Sequence, residues 1–594
     1  MPRVRLRFCW FSASALSAVM WFVPQAGRTE DAPVVSVPAA ESATPEASES
    51  KLAPTEETPL TVAFREHLAA PQSGPCGRPD CPICNPKPAA AAKPPAPILP
   101  WKGLYFDNDF SYKGKPNAPH FLGEELKNIP LFDDCCEPSG ITLSYGGEIR
   151  HRYMNEDMRL RPLAAGQVIG RSTYDLYRWR QYVDLKYRDQ FRVYIEGIDA
   201  SIYNNELAVT GIDKNRWDIQ NAFFDLKVAE RDGKPVYFRA GRQELLYGTP
   251  SGASPGQQVI SPLDWANTRR NFEGFKLFSK GDTWDVDMFA VRPVNTANPT
   301  GATGGRPAAG AGAAVLKYDN QFDEADYSRW YSGIYSNYKG IKDHTFEPYY
   351  VWLQTDSSKH VGPTTPGGPS WADGNRHTLG LRWTMTKPIK DECDQPWLVF
   401  ASDTEGAYQF GEDNDADVRA GFFTTKLATT FSQVPWTPQF TFIYYWGSGD
   451  TNPNDGKNTT YDVLVPLNHA YWGIIDNLAG QNLNDIAVQA TIKPHKKLTG
   501  LAALHWFNLA NNSDTVYNVA GAPVGVQGTG KDVGQELDLI ATYVHNPNFD
   551  VQLGYSWFWY GSHFSGPNAD LTPGPGGKLL EDATQLYIQT SLRY

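Results

Sequence analysis

The sequence predicts an all-β protein: a transmembrane antiparallel β-barrel of about 18 strands with a disordered N-terminal extension. Three observations carry that reading. From Gly140 onward, segments of roughly ten residues alternate apolar and polar side chains, with turn-rich stretches between them. The stretches alternate long and short. The segment 586–594 ends on an aromatic residue, with Leu586, Ile588, Thr590, Leu592 and Tyr594 on one face and Gln585, Gln589, Ser591 and Arg593 on the other. One face suits lipid and the other water.

Composition agrees. Aromatic residues make up 13% of the 594 residues, and beyond the first residues no run approaches the roughly 20 apolar positions a spanning helix needs. A route through a membrane must use strands. The net charge of -12 argues against a nucleic-acid binder, whose footprint would be basic.

The N-terminus reads as an export signal over residues 1–26. Arg3, Arg5 and Arg7 precede an apolar stretch over 8–23, followed by Pro24, Gln25 and Ala26. A short membrane anchor is the alternative. Residues 27–100 are rich in Pro, Ala, Glu and Ser and carry few large apolar side chains, so they form a disordered linker. Residues 101–139 hold Trp101, Leu104, Tyr105, Phe106, Phe110, Phe121 and Leu131 without a sustained period, a composition for a small plug or an external strap. Cys76, Cys81, Cys84, Cys135, Cys136 and Cys393 remain after the signal. Exported, they suit disulfides or free thiols better than a metal, because the Pro-rich cluster has no clear fourth ligand.

Within 140–594, segments begin near residues 140, 171, 190, 215, 235, 270, 283, 329, 345, 376, 396, 417, 437, 484, 498, 534, 549 and 583. Gaps after odd segments are usually long and gaps after even ones short. Short turns belong to the periplasmic side and long loops to the outside, which puts both barrel ends, and the linker, in the periplasm.

Strand faces follow from cost. An arginine facing lipid at the bilayer midplane costs roughly 2–4 kcal/mol, and one facing a wet lumen costs little. Arg150 and Arg152 with Glu148, then Arg178, Arg180, Asp184 and Lys186, then Arg192 and Glu196 should line the lumen, joined by Arg239, Arg382, Asp403, Glu405, Glu536 and Asp538. At Arg242 and Glu244 the alternation is ambiguous, because Arg239, Gly241 and Gln243 form a rival face. Rings of arginine attract anions in a barrel this wide. For any single residue the alternative is a salt-bridge lattice that stiffens the wall.

Two other chemistries find partial support. Asp450, Asn452 and Asn454 offer oxygens at alternate positions as a calcium loop does, but the glycine comes one place late and no glutamate closes the set. A solvated turn competes with a calcium ion there. Catalysis has little support, since no motif joins His151, His505 or His545 to a nucleophile.

A resemblance adds to this. Gly241-Arg242-Gln243-Glu244-Leu245 with Tyr247-Gly248, Leu263-Asp264-Trp265 with Asn267, and Arg270-Asn271-Phe272-Glu273-Gly274 resemble blocks of the alginate-export family of outer-membrane barrels. So do Gln409-Phe410-Gly411, Ser448-Gly449-Asp450, the stretch ending His469-Ala470-Tyr471-Trp472-Gly473, Asp476 with Asn482-Leu483, and Gly554-Tyr555-Ser556. The family implies an 18-stranded barrel with a positive conduit for an anionic uronate polymer. Carried over by position, Arg150, Arg152, Arg239 and Arg270 would contact polymer, balanced by Glu196 and Glu244. The Cys-containing N-terminal region and the Gly/Ala-rich stretch 300–314 depart from the family pattern.

The expected function is therefore a passive outer-membrane channel of a Gram-negative envelope for an anionic polysaccharide or related anionic solutes. Its partners would be outer-membrane lipid and periplasmic export components. A general or nutrient porin importing small polar solutes is the alternative, with a surface adhesin or anchor behind it and an enzyme last.

Overall fold

The computed structural model describes residues 100–594 except 114, 116–118, 133–138, 161–169, 208, 296–321, 360–372, 525–529 and 565–580. The expectations for the signal, for nearly all of the linker and for the stretch 300–314 lie outside the described residues.

Strands β1 (Ile141–Asp157), β2 (Ser172–Tyr187), β3 (Phe191–Tyr203), β4 (Asn215–Arg231), β5 (Lys234–Gln243) and β6 (Phe272–Lys280) open the wall. It continues through β7 (Trp284–Asn295), β8 (Arg329–Tyr338), β9 (His344–Thr355), β10 (Gly374–Lys390), β11 (Pro396–Asp413) and β12 (Ala416–Phe431). The last six are β13 (Gln439–Gly447), β14 (Leu483–His495), β15 (Leu498–Leu509), β16 (Asp532–Asn546), β17 (Phe549–Tyr560) and β18 (Ala583–Arg593). Each pairs antiparallel with its predecessor. β18 then pairs with β1, from Glu148↔Arg593 to Asp157↔Thr584, and closes the barrel. Closure leaves the long strands no free edge, which the hydrocarbon layer requires.

The alternation read from the sequence is what the wall obeys. Ile149, Ile195, Leu379, Leu381, Leu553 and Ile588 face outward and are exposed, whereas Arg150, Glu196, Arg382 and Gln585, on the inner face, are buried. A one-residue slip would turn every charge toward lipid, so the register is strongly specified. No helix of the described residues is long and apolar enough to cross a membrane. Connections at one rim are short turns. At the other they are long, apart from the Asn414-Asp415 hairpin, where both residues adopt positive φ as a tight two-residue turn demands.

Two of the long connections do not stay at the rim. Residues 244–271, between β5 and β6, and 448–482, between β13 and β14, fold into the lumen. The first brings Leu245, Tyr247, Val259 and Ile260, the second Tyr461, Val463, Tyr471, Trp472, Ile475 and Leu478, into one buried cluster with wall residues such as Phe289, Tyr335, Tyr349, Phe422 and Phe558. Each such side chain removed from water contributes about 1.5–3 kcal/mol. The core of this barrel is thus its filling. The loops hold each other through backbone pairs, with Ser261 N donating to Val465 O at 2.9 Å and Val465 N to Val259 O at 3.2 Å.

From the short-turn rim, the chain preceding β1 enters as well. Leu104, Tyr105 and Phe106 pack on Tyr182, Tyr194 and Phe223 of the inner face of β2, β3 and β4. Lys127 anchors this segment. Its Nζ donates to the Tyr145 carbonyl and lies 5.4 Å from the ring centres of Trp101 and Tyr182. Burial first, and Lys113 second, pull its pKa down to about 7, against a smaller upward pull from Glu125. The sign of the linkage follows: an undocked Lys127 takes up a proton below its ordinary value near 10.4, a docked one only below about 7. Docking is therefore fullest at alkaline pH and weakens as pH falls toward 7. Trypsin cleavage after Lys113, normalised to a peptide substrate, is expected to be on the order of tenfold faster at pH 7 than at pH 9. Lys127→Met should abolish that difference, and an unchanged difference in the variant would contradict the assignment.

Candidate functional site

The inner wall carries its charge in three groups. The first spans β1–β5. Arg178 donates to Glu148 through Nε and Nη2, at 3.2 and 2.8 Å. It also reaches Asp264 Oδ1 at 2.9 Å and the carbonyls of Asp264 and Ala266 at 3.1 and 3.2 Å. Arg180 pairs with Glu196 at 2.5 Å and reaches Glu244 at 3.4 Å. Glu244 also accepts from Arg269 and from Gln220 at 3.0 Å. Arg192 meets Asp184 at 2.7 Å, and Arg239 meets Asp225 at 2.6 Å. These are planar guanidinium–carboxylate contacts of the strong kind.

Arg150 and Arg152 differ. Arg150 donates to the carbonyls of Asp264 at 2.7 Å and Ala266 at 3.2 Å and to the Asn267 amide oxygen at 3.3 Å. Arg152 donates to Gln589 Oε1 at 2.9 and 2.7 Å and to the Trp265 carbonyl at 2.9 Å. Neither has a carboxylate in an ion pair among the described residues. The Arg152 guanidinium lies 3.5 Å over the Trp265 ring, and His469 stacks on Trp265 at 3.6 Å, so the ring is held between a wall arginine and the second inward loop. Arg270, just before β6, likewise donates to carbonyls and to no carboxylate among the described residues, with Val465 O at 2.6 Å and Ser261 O at 3.1 Å.

Asp264 is where these arginines converge. Its side chain is 61% exposed to the lumen while that of Arg178 is fully covered. Burial among its neighbours pushes the carboxyl upward, but Arg178, Arg269 and Arg150 outweigh it and hold the group well below the usual carboxylate range.

The second group lies on β9–β12. Arg382 bridges Asp403 at 2.7 Å and Glu347 at 2.9 Å, and donates to the Thr249 carbonyl of the first inward loop at 2.7 Å. Glu405 accepts from Tyr349 Oη at 2.9 Å and stands 4.0 Å from Arg382. The third group, on β14–β16, is acidic. Asp485 meets His505 at 2.9 Å, and Glu536 accepts from Ile475 N of the second loop at 2.8 Å.

The fifteen side chains read from the alternation as lumen-facing all face the interior or its edge, joined by Glu244 and Arg270. Thirteen of the fifteen are at most 5% exposed; Lys186, Arg192 and Arg270 are half-buried. They are brought together chiefly by holding the inward segments. At the ambiguous site the rival face is the inner one: Arg239 and Gln243 point in, and Arg242 pairs with Glu273 at 2.6 Å. The strand ends at Gln243, so Glu244 begins the inward loop and reaches the lumen from there. Opposite each other, Gly241 and Gly274 adopt φ of 126° and 151°, and a Cβ on either would meet a carbonyl oxygen at 2.2 Å.

In the loop 448–482, Asp450 Oδ1 accepts from Asn452 N at 3.1 Å and Asn452 Oδ1 from Asn454 N at 3.3 Å. The three oxygens' chain is thereby folded into consecutive turns. No group of three or more His, Cys, Asp or Glu able to hold a metal stands among the described residues. Cys393, in the turn between β10 and β11, is disulfide-bonded; the other cysteines lie outside the described residues.

Sequence reading missed Arg269, Glu347 and the inward course of both loops. A signal was present. Tyr461, Val463, Tyr471, Trp472 and Ile475 are too many large apolar side chains for a loop in water.

A closed antiparallel barrel of 18 strands with a lipid-facing apolar exterior and a charged interior defines an outer-membrane barrel of the porin class. The family model for alginate export matches residues 141–568, and the chain belongs to that family. Among solved structures, the outer membrane protein OprD of Pseudomonas aeruginosa is similar at 11% identity over 76% of this chain and 94% of that one, with a TM-score of 0.46. OpdQ of the same organism is similar at 14% identity, over 76% and 97%, with a TM-score of 0.47. OccAB1 of Acinetobacter baumannii stands at 11%, 76%, 96% and 0.46. No curated protein sequence matches the chain.

Proposed function

We propose that this barrel is a passive conduit for an anionic polysaccharide of the alginate type, with the short-turn rim and the N-terminal linker in the periplasm. The observation that carries the reading is the pair Arg150 and Arg152. They stand two residues apart on one inner face, have no carboxylate partner among the described residues, and sit beside the exposed Asp264. Wall arginines that are not neutralised are what attracts anions in a pore. Membership of the alginate export family supports a uronate as the anion, and a uronate carries one carboxylate per sugar for such a row to bind in turn. Transport then needs no chemical step, only binding weak enough to release at each position.

Proteoliposome flux tests this. Labelled oligouronate is expected to cross on the order of tenfold faster than a neutral oligosaccharide of equal length. Equal rates would favour a general porin importing small polar solutes, and no flux of either would favour an anchor.

A further inference from the structure

Toward the short-turn rim the inner wall is unevenly covered. Leu104, Tyr105 and Phe106 pack on it over β2–β4, whereas on β15–β18 Thr499, Thr542, Gln552 and Gln589 stay half-buried. These four are register partners in turn, Thr499↔Thr542, Thr542↔Gln552 and Gln552↔Gln589, and Gln589 is in turn the partner of Arg152. A row of partners runs perpendicular to strands that are themselves tilted, so it climbs the barrel. It starts one residue from the short-turn end of β15 and ends eleven residues up β1, after four steps of about 4.8 Å each.

Below Arg152 the row is uncharged. Toward the long loops it is bordered by Leu501, Ile540, Tyr587 and Met154, an apolar strip that separates it from Asp538 and Glu156 of the next row. Toward the rim it is bordered by Asp550, which Arg593 takes up. Gln552 Nε2 donates to Thr542 Oγ1 at 3.1 Å, and Gln552 Oε1 accepts from Tyr587 Oη at 3.0 Å. Those bonds orient the amide and leave a second N–H for a ligand. Hydroxyls and amides beside an apolar strip match a sugar chain, whose ring edges carry hydroxyls and whose ring faces carry C–H groups.

At the foot of the row the charge is positive. Lys493, Lys496 and Lys497 are exposed, and none forms an ion pair among the described residues. The neighbouring turns 432–438 and 546–548 carry no acid. In this the lysines differ from Arg180, Arg192, Arg239 and Arg269, each of which is held by a carboxylate of the wall or the first inward loop.

We propose that this row is a polysaccharide track, with the three lysines of the β14–β15 turn as its anion-collecting mouth and Arg152 and Arg150 as its upper end. The inference rests on the anionic-conduit reading and deepens it by giving the polymer a path. The lysines draw a carboxylate-bearing chain to the short-turn rim. The threonines and glutamines then hold its hydroxyls without fixing its charge, and the two arginines receive its carboxylates above.

Single-channel block of the full-length protein by alginate oligomer, added to one side at a time, tests this. Lys493→Gln/Lys496→Gln/Lys497→Gln alters only exposed turn residues, and its folding is checked by heat-modifiable gel migration. Its association rate for oligomer added on the short-turn side is expected to fall about tenfold at low salt, with no change from the other side. In 1 M salt, where the screening length is about 3 Å, the difference should vanish. Thr499→Val/Thr542→Val changes no charge and is expected to shorten the blocked dwell about fivefold at an unaltered anion-to-cation permeability ratio. A wild type blocked by oligomer beside a lysine variant blocked equally fast, or slowed equally from both sides, overturns the track alone, as does an unchanged dwell in the folded threonine variant. A wild type that oligomer blocks from neither side overturns the conduit reading and the track with it.

Discussion

Replacing Arg178 with methionine is expected to loosen the first inward loop and to cost the barrel about 3–5 kcal/mol, the usual effect of removing one partner of a buried ion pair. Arg178 is 1% exposed and Glu148 2%, so the variant strands a buried carboxylate without its ion-pair partner. It also removes donors to Asp264 Oδ1 and to the carbonyls of Asp264 and Ala266, the contacts that pin the loop to β2. The barrel should unfold at lower denaturant, and single-channel current should become noisier as the loop leaves the wall. A Glu148→Gln change in the same chain should recover much of the stability and none of the loop anchoring. Recovery of neither, or a stable and quiet Arg178→Met channel, would show that the ion pair does not hold the loop.

The second large effect belongs to the pair without acids. Arg150→Gln/Arg152→Gln keeps amide donors for the neighbouring carbonyls and removes two positive charges. At about 5 Å through water each charge is worth roughly 0.8 kcal/mol to a passing anion. Together they correspond to about a tenfold fall in the anion-to-cation permeability ratio. The thermal stability should change little, because no buried carboxylate is stranded. A ratio equal to wild type would mean that selectivity resides elsewhere, as at Arg270.

How far the molecule was legible in its sequence depended on which force set each part. Strand starts read from alternation fall within two residues of those observed, as at 171 against Ser172, 376 against Gly374 and 437 against Gln439. Lipid enforces a period of two on every strand, so that pattern is hard to miss. The inner face was equally legible, because an arginine has nowhere else to go. What the inner charges do was not. Wall period says that Arg178 points inward, but not that residues 263–267 come back to meet it, since loop paths are set by long-range pairing that no local period records. The same holds for Arg382, whose partners Glu347 and the Thr249 carbonyl lie 35 and 133 residues away. At Arg242 and Glu244 the alternation was ambiguous because strand β5 stops at Gln243 and the chain turns inward. The 101–139 stretch had large apolar residues without period, which is what a segment packed against a curved wall, rather than built into it, shows.

The claim that the lumen selects anions is tested most directly by the zero-current potential of the purified full-length channel in a planar bilayer across a tenfold salt gradient. The account predicts a potential of the sign that marks chloride as the more permeant ion, and a conductance that falls when oligouronate is added. A potential of the opposite sign, with a conductance indifferent to oligouronate, would contradict it.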